Sequence, residues 1–411
     1  MNVRRSAAAL AASAVLCVGA APAAFADVAS PSPAPAAPSG LFGKNDPTYD
    51  GVWRQSFALL AQHTAGLEPA GQAVDWLVGQ QCADGSFASF RADADAACDA
   101  KTMLDTNATA VAVQALKTLG GHDAAVKKGT DWLKSVQNED GGWAYVPGSP
   151  SEASSTAVVI SALAVAGEKP AEVKSKAGKS AYEGLLAFQL GCSAEPAADR
   201  GAFAYQPTAD GKLPANADAT AAAVLAGLAT GPLVPAASTD TPAAALVCPA
   251  TAGDPAAAAQ GAAGYLAQAL REGGHLTALT PGADQPTPDI GNTADAVIAL
   301  AAAGHKQSAA GALEWLKSHS ADWAKDSPAG LGTLILAAHA TGTDPKSFGG
   351  TDLVAALNAT GPAPRETGSS QKEKDSDDAA DKNVWWMIGA GVAAGAGIGI
   401  VLSGRRKKNQ I

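Results

Sequence analysis

Four groups of polar residues recur along this chain of 411 residues, each at the opening of a small, apolar run: Asp105, Asn107 and Thr109; Ser154, Ser155 and Thr156; Asn216, Asp218 and Thr220; and Asn292, Thr293 and Asp295. Acids, amides and hydroxyls of this kind offer hydrogen bonds in both directions, and the unpaired N–H groups of a helix start add further donors. Such a set suits a polar ligand with many hydrogen-bonding groups. The same residue types are also good N-caps, worth about 1 kcal/mol each, so capping alone accounts for any one of them. A site requires that the fold bring them together. The six histidines, at 63, 122, 275, 305, 319 and 339, are scattered without ligand spacing, and no CxxC or HxxxH is present, so no metal site is expected. No cofactor is expected either.

The positioning elements come from a repeat. KGTDWLKSVQNEDGGW at 128–143 reads as an amphipathic helix with Trp132, Leu133 and Val136 on one face, then a tight turn through Asp140, Gly141 and Gly142 that drops Trp143 back onto the helix. AVDWLVGQQCADGSF at 73–87 repeats the spacing through Trp76, Leu77, Gln81, Gly85 and Phe87. Weaker copies place Leu185 and Gln189 before Gly201 and Phe203, Tyr265 and Leu266 before Gly273 and Gly274, and Trp315 and Leu316 before Trp323. Each copy is followed by an Ala-rich helical run, at 105–116, 154–167, 216–228, 291–304 and 327–342. A helix that is apolar nearly all round has no wet face and must be buried, whereas the Trp-bearing helices keep one polar side. Units of this length cannot bury their own cores and so stack in an array. The reading is two concentric layers of αα-hairpins, Ala-rich helices inside. Segments 52–64 and 351–359 then serve as an unpaired inner and an unpaired outer helix, and their pairing closes an all-α, α6/α6 toroid.

These residues resemble the QW repeat of the terpenoid cyclases, and 50–360 resembles the α/α toroid of the prenyltransferase and squalene oxidase repeat superfamily. The resemblance implies that the inner-helix N-termini meet at one mouth of the ring, which makes the four polar groups a candidate ligand-binding site. It also implies what catalysis would require. The DxDD of the type II cyclases occurs only as Asp375, Ser376, Asp377 and Asp378, in a solvated charged stretch, and the Asp-x-Cys of the prenyltransferases and the Cys-Gly-Glu-Gln of the thioester domains are absent. The nearest branch in logic is therefore the cobalamin carriers, which bind a corrinoid without catalysis. Two alternatives stand beside a capture protein: a cyclase-like or prenyltransferase-like enzyme with Asp105 or Asp218 as its acid, and a structural or adhesive surface module. The aromatic count, eight Trp, five Tyr and eight Phe, is low for a cavity that stabilises carbocations through ring faces.

The rest of the chain describes a surface protein. Residues 1–26 carry Arg4 and Arg5, an apolar run and Ala24-Phe25-Ala26, the pattern of a secretory signal peptide. A Pro/Ala-rich linker at 27–49 leads to the toroid at 50–361. A charged tether at 362–383 precedes an apolar segment at 384–402, long enough to span a bilayer, with Arg405, Arg406, Lys407 and Lys408 just beyond it. The positive-inside rule makes the tail at 403–411 cytoplasmic and the toroid extracellular; the high Ala and Gly content and the signal-plus-anchor layout suit a Gram-positive actinobacterial surface. Gly391, Gly395 and Gly399 form a small-residue stripe suited to self-association. Of five cysteines, Cys17 lies in the signal segment; the other four favour disulfides in an exported chain, with the local pairs Cys82–Cys98 and Cys192–Cys248 expected among three connectivities. A net charge of −10 excludes nucleic acid as a partner. The expected partners are a corrinoid-like small molecule, a membrane transporter and, through the anchor, the membrane.

Overall fold

A computed structural model describes residues 38–236, 240–247, 253–278 and 285–365. Among the described residues thirteen α-helices follow in chain order: α1 (Gly51–Thr64), α2 (Gly71–Gly79), α3 (Thr106–Leu119), α4 (Asp123–Ser135), α5 (Ala153–Val165), α6 (Ala181–Leu186), α7 (Ala217–Gly227), α8 (Pro255–Ala269), α9 (Ile290–Ala302), α10 (Ala310–His319), α11 (Ala321–Ala324), α12 (Pro328–Thr341) and α13 (Leu353–Asn358). Six of them, α1, α3, α5, α7, α9 and α12, form the inner layer. Each packs on the next, and α12 packs back on α1, so the inner ring is closed. Outside it α2 lies on α1, α4 on α3, α6 on α5, α8 on α7, α10 on α9 and α13 on α12.

The α6/α6 toroid is therefore present, but its hairpins are offset by one helix from the expected pairing. Each inner helix pairs chiefly with the outer helix that follows it, and the terminal helices α1 and α13 have partners of their own in α2 and α12. At α3–α4 the connection shows the cause directly. Between α3 and α4 stand only Gly120, Gly121 and His122, and both glycines adopt left-handed backbone (φ 74° and 75°), which reverses the chain within one turn. The links from outer to inner helices are long and carry the glycine–aromatic turns instead.

Composition explains the layering. In α5 the chain buries Ala157, Val159, Ile160, Ala162 and Leu163 around most of its circumference. In α4 only Val126, Gly129, Thr130, Trp132 and Leu133 are buried. Its outer side carries the exposed pairs Lys127–Asp131 and Lys134–Asp131, which contribute little each.

The turn of each repeat locks onto the inner helix that follows it. Phe87, Trp143 and Phe203 are fully buried, and their backbone N–H groups donate to Thr109, Thr156 and Thr220 Oγ1, each at 2.9 Å. In the fourth repeat Leu276 N–H donates to Thr293 Oγ1 at 3.0 Å. The fifth copy departs from the pattern. Trp323 lies in the short α11, stays 39 % exposed and packs against Gly291 and Gly330.

Both margins of the ring extend beyond the expected boundaries. Leu41 and Phe42, within the stretch read as linker, are buried, and Gly43 N–H donates to Thr360 O at 2.8 Å, which ties the start of the fold to its end. Past residue 361, Arg365 exchanges backbone hydrogen bonds with Glu68. The disulfide Cys82–Cys98 is present with its Cα atoms 5.7 Å apart. Cys192 is disulfide-bonded. Its expected partner, Cys248, lies outside the described residues, as do the signal segment, the DxDD stretch, the apolar segment at 384–402 with Gly391, Gly395 and Gly399, and the basic tail. Among the described residues no helix is long and apolar enough to cross a membrane.

Candidate functional site

The start of α3 is capped by Asp105, whose Oδ1 accepts from Ala108 N–H at 2.8 Å while Oδ2 accepts from Ser89 at 2.6 Å. Asn216 caps α7 in the same way through Ala219 N–H. In α9 the cap is Asp289, which holds both the backbone N–H and the side-chain amide of Asn292. Glu152 occupies the cap position of α5 and accepts from Ser155 Oγ at 2.8 Å and from Tyr145 N–H. Thr109, Thr156, Thr220 and Thr293 are fully buried and hold the turns. Eight of the twelve candidate side chains, Asp105, Thr109, Ser155, Thr156, Asn216, Thr220, Asn292 and Thr293, are therefore engaged in capping and turn bonds.

The four that remain are Asn107, Ser154, Asp218 and Asp295. They fall on a register that the caps conceal. Counting from the cap, the third, seventh and tenth residues of each inner helix share one face, because positions four and three apart are neighbours on a helix. That face reads Asn107, Val111 and Gln114 in α3; Ser154, Val158 and Ser161 in α5; Asp218, Ala222 and Leu225 in α7; and Gly291, Asp295 and Ile298 in α9. Nine of these twelve residues line a cavity of about 110 Å³, joined by Trp53 and Phe57 of α1 and Pro232. The indole and phenyl rings stack with centroids 5.0 Å apart.

Two acids face this cavity. Asp218 accepts from Ser154 Oγ at 2.9 Å across the seam between α5 and α7. Burial raises its pKa against the lowering effect of that hydrogen bond, and the nearby Asp289 raises it further. Asp295 stands one turn deeper, and its carboxyl has no hydrogen-bond or ion-pair partner among the described residues. Its remaining accessible surface lines the cavity. Burial, then the charges of Asp218 and Asp289, push it up to about 7. At neutral pH such a group both donates and accepts protons. No Lys, Arg or His lines the cavity. Among the described residues no group of three or more His, Cys, Asp or Glu is placed to hold a metal ion.

Around the mouth the structure adds residues that the sequence reading missed. Tyr145 O accepts from Thr106 N–H at the start of α3, and Tyr205 O accepts from Ala153 N–H at the start of α5. Both rings stay exposed, 38 % and 43 %. The available signal was alternation: Trp143 and Phe203 point inward, so the residue two places on, past Ala144 or Ala204, sits on the adjoining extended stretch beside the neighbouring helix start. Asn107 Oδ1 lies close by, buried and without a partner.

Residues 52–190 match the family model of the prenyltransferase alpha-alpha toroid domain. The matched segment is about a third of the chain and runs from α1 past α6. Of solved structures, the toroid is similar to ent-copalyl diphosphate synthase from Streptomyces platensis, at 18 % identity and a TM-score of 0.47, over 71 % of this chain and 50 % of that one. The chain thus spans half the length of that enzyme. No curated protein matches it.

Proposed function

We propose that the toroid is a non-catalytic capture protein, held outside the cell by the segment at 384–402, whose ring mouth takes a polar polycyclic small molecule, with a corrinoid as the first candidate, and passes it to a membrane transporter. The observation that carries this reading is the pair of exposed rings, Tyr145 and Tyr205, whose backbone carbonyls are bonded to the starts of α3 and α5, above a cavity of only about 110 Å³. Small-molecule pockets that engulf their ligand run to about 300 Å³ and more. A ligand of corrinoid size therefore rests on the mouth, where flat rings and amide groups can meet it, rather than inside the ring. The signal and anchor patterns support the location. The test is calorimetric titration of the full chain with cobalamin and cobinamide. Saturable binding that weakens in Tyr205→Ala and Asn107→Ala is the expected result; silence toward both corrinoids removes the ligand assignment.

A second reading is favoured by one observation. Asp295 is a desolvated acid held near pH 7 beside two aromatic rings, the setting in which an acid protonates an apolar substrate. Against it stand the cavity's size and its lack of any cation for a diphosphate. Incubation with geranylgeranyl diphosphate and with squalene tests it, since a cyclised product that disappears in Asp295→Asn would establish the enzyme.

A further inference from the structure

Beside the mouth, the loop closed by Cys82–Cys98 forms one wall of a second cleft, of about 430 Å³, which Tyr49, Met103 and Tyr145 also line. Clefts of about 300 Å³ and more take small molecules. Tyr49 is 85 % exposed and Met103 70 %, and Tyr145 is exposed beside them. Single exposed apolar side chains are ordinary, but three around one cleft with a polar rim mark a binding groove. The loop holds its shape without a core of its own. Its ends are tied by the disulfide, and the Arg91 guanidinium donates to the carbonyls of Asp93, Ala94 and Ala96 within the loop and of Gly79 and Gln80 at the end of α2. Gln80 Oε1 accepts from Arg91 N–H at 2.7 Å. A wall fixed in advance spares a ligand the cost of ordering it.

The hydrogen bonds inside the cleft narrow the ligand. Thr48 Oγ1 donates to Asp46 Oδ1 at 2.6 Å, Thr102 Oγ1 to Asp99 Oδ1 at 3.3 Å, and Ser89 Oγ to Asp105 Oδ2 at 2.6 Å. Tyr145 Oη lies 3.1 Å from Ser89 Oγ. A serine has one proton and this one is committed to Asp105, so the phenol is the donor and its own proton points inward. Thr48, Thr102 and Tyr145 therefore offer an incoming molecule acceptance only, as do the carboxylates of Asp93 and Asp99 in the same lining. The cleft asks for donors. Its lining charges balance, Asp93 and Asp99 against Arg91 and Lys101, so neither an anion nor a cation is selected. These acceptors are spread along a cleft rather than gathered at one point, which suits a molecule with hydroxyls round its edge rather than a single head group.

We propose that this cleft binds a neutral oligosaccharide, whose sugar rings lay their C–H faces on Tyr49 and Tyr145 and donate hydroxyl protons to Tyr145 Oη, Thr48 Oγ1 and the Asp99 carboxylate. A sugar ring is apolar on its faces and rich in O–H donors round its rim, and a tyrosine meets it with an apolar body and a polar tip. The site goes beyond the capture reading and shares only Tyr145 with it.

The experiment is calorimetric titration of the full chain with four neutral tetrasaccharides, cellotetraose, maltotetraose, mannotetraose and tetra-N-acetylchitotetraose, against tetramethylammonium. Saturable binding of at least one sugar is expected, unchanged by a tenfold rise in salt because the ligand carries no charge. Tyr49→Ala is expected to weaken it at least tenfold with an unchanged melting curve, since the ring is exposed. Tyr145→Phe keeps the ring, removes the acceptor oxygen and is expected to weaken binding several-fold. Tyr205→Ala leaves sugar binding as it was. Silence toward all four sugars overturns the proposal, as does sugar binding indifferent to both Tyr49→Ala and Tyr145→Phe; tetramethylammonium binding that Tyr49→Ala removes overturns it too, by making the cleft a cation site. Cobalamin titrated into Tyr49→Ala and Tyr205→Ala separates these outcomes from failure of the mouth assignment, because only the second variant alters the mouth.

Discussion

The hydroxyl of Thr156 accepts the backbone N–H of Trp143 at 2.9 Å, and the same bond links Thr220 to Phe203 and Thr109 to Phe87. A turn thirteen residues upstream is thereby fastened to the inner helix, with the aromatic ring buried between layers. Both bonded groups are fully buried, so the loss of one leaves the other without water to replace it.

Thr156→Val keeps the shape of the side chain and deletes the acceptor. An unmet buried N–H costs about 1–3 kcal/mol. Chemical denaturation of Thr156→Val should show that loss with an unchanged slope against denaturant, whereas a substitution at the exposed Ser149 should show none. An unaltered midpoint in Thr156→Val would sink the idea that this bond couples turn to ring.

The layers and the turns were legible because they rest on composition and on spacing: Ala-rich runs have nowhere to go but inside, and Gly141-Gly142-Trp143 repeats as Gly85-Ser86-Phe87. The hairpin pairing was not, because spacing does not say which flank of a helix turns back; at α3–α4 the left-handed Gly120 and Gly121 decide it. Leu41 and Phe42 were hidden in a Pro/Ala-rich stretch whose average polarity masks two buried side chains. The site was legible in part. Asp218 and Asp295 were named as mouth residues, but Asn216 and Thr220 beside them were named on the same grounds and prove to be a cap and a turn anchor. What separates them is register: a residue four beyond the mouth position reaches the ring axis, as Asp295 does. Gln114, seven residues beyond Asn107 on the same face, was missed, because one amide in an apolar run reads as a lone exception.

Asp295 sets a pH dependence. Its pKa is about 7 when folded, against the ordinary 3.8 when unfolded, so the folded chain holds its proton more tightly. Between those values the unfolded state binds fewer protons, and stability falls as pH rises, by up to about 1.4 kcal/mol per unit, then levels off above pH 7. Asp218, also raised, acts in the same direction. Asp295→Asn should flatten this slope and leave the variant more stable than the parent at pH 8. Melting temperatures recorded from pH 4 to 8 check it, and parallel curves for parent and variant would count against a desolvated acid.

The Cys82–Cys98 disulfide closes a loop with a sequence separation of 16, which by the loop-entropy account stabilises the fold by about 3 kcal/mol. Reduction, or the double change Cys82→Ser and Cys98→Ser, should lower the melting temperature by several degrees. The loop borders Tyr145 through Ser89, whose hydroxyl lies 3.1 Å from the phenol oxygen. Ligand affinity at the mouth should fall with the disulfide, and calorimetry on the oxidised and reduced chain compares the two.

Asn107 and Thr109 stand two residues apart on α3 and should respond oppositely. Thr109 is buried and bonded to Phe87 N–H, so Thr109→Val costs stability yet leaves the mouth chemistry of the molecules that remain folded unchanged. Asn107 has an unpartnered Oδ1, so Asn107→Leu removes a buried acceptor that folding does not use and leaves stability equal or slightly higher. Its effect falls on binding instead, with affinity for a mouth ligand reduced about tenfold. Denaturation midpoints and calorimetric affinities measured on both variants separate turn anchors from site: if Asn107→Leu destabilises as Thr109→Val does while binding is untouched, Asn107 is one more structural residue and drops out of the mouth site.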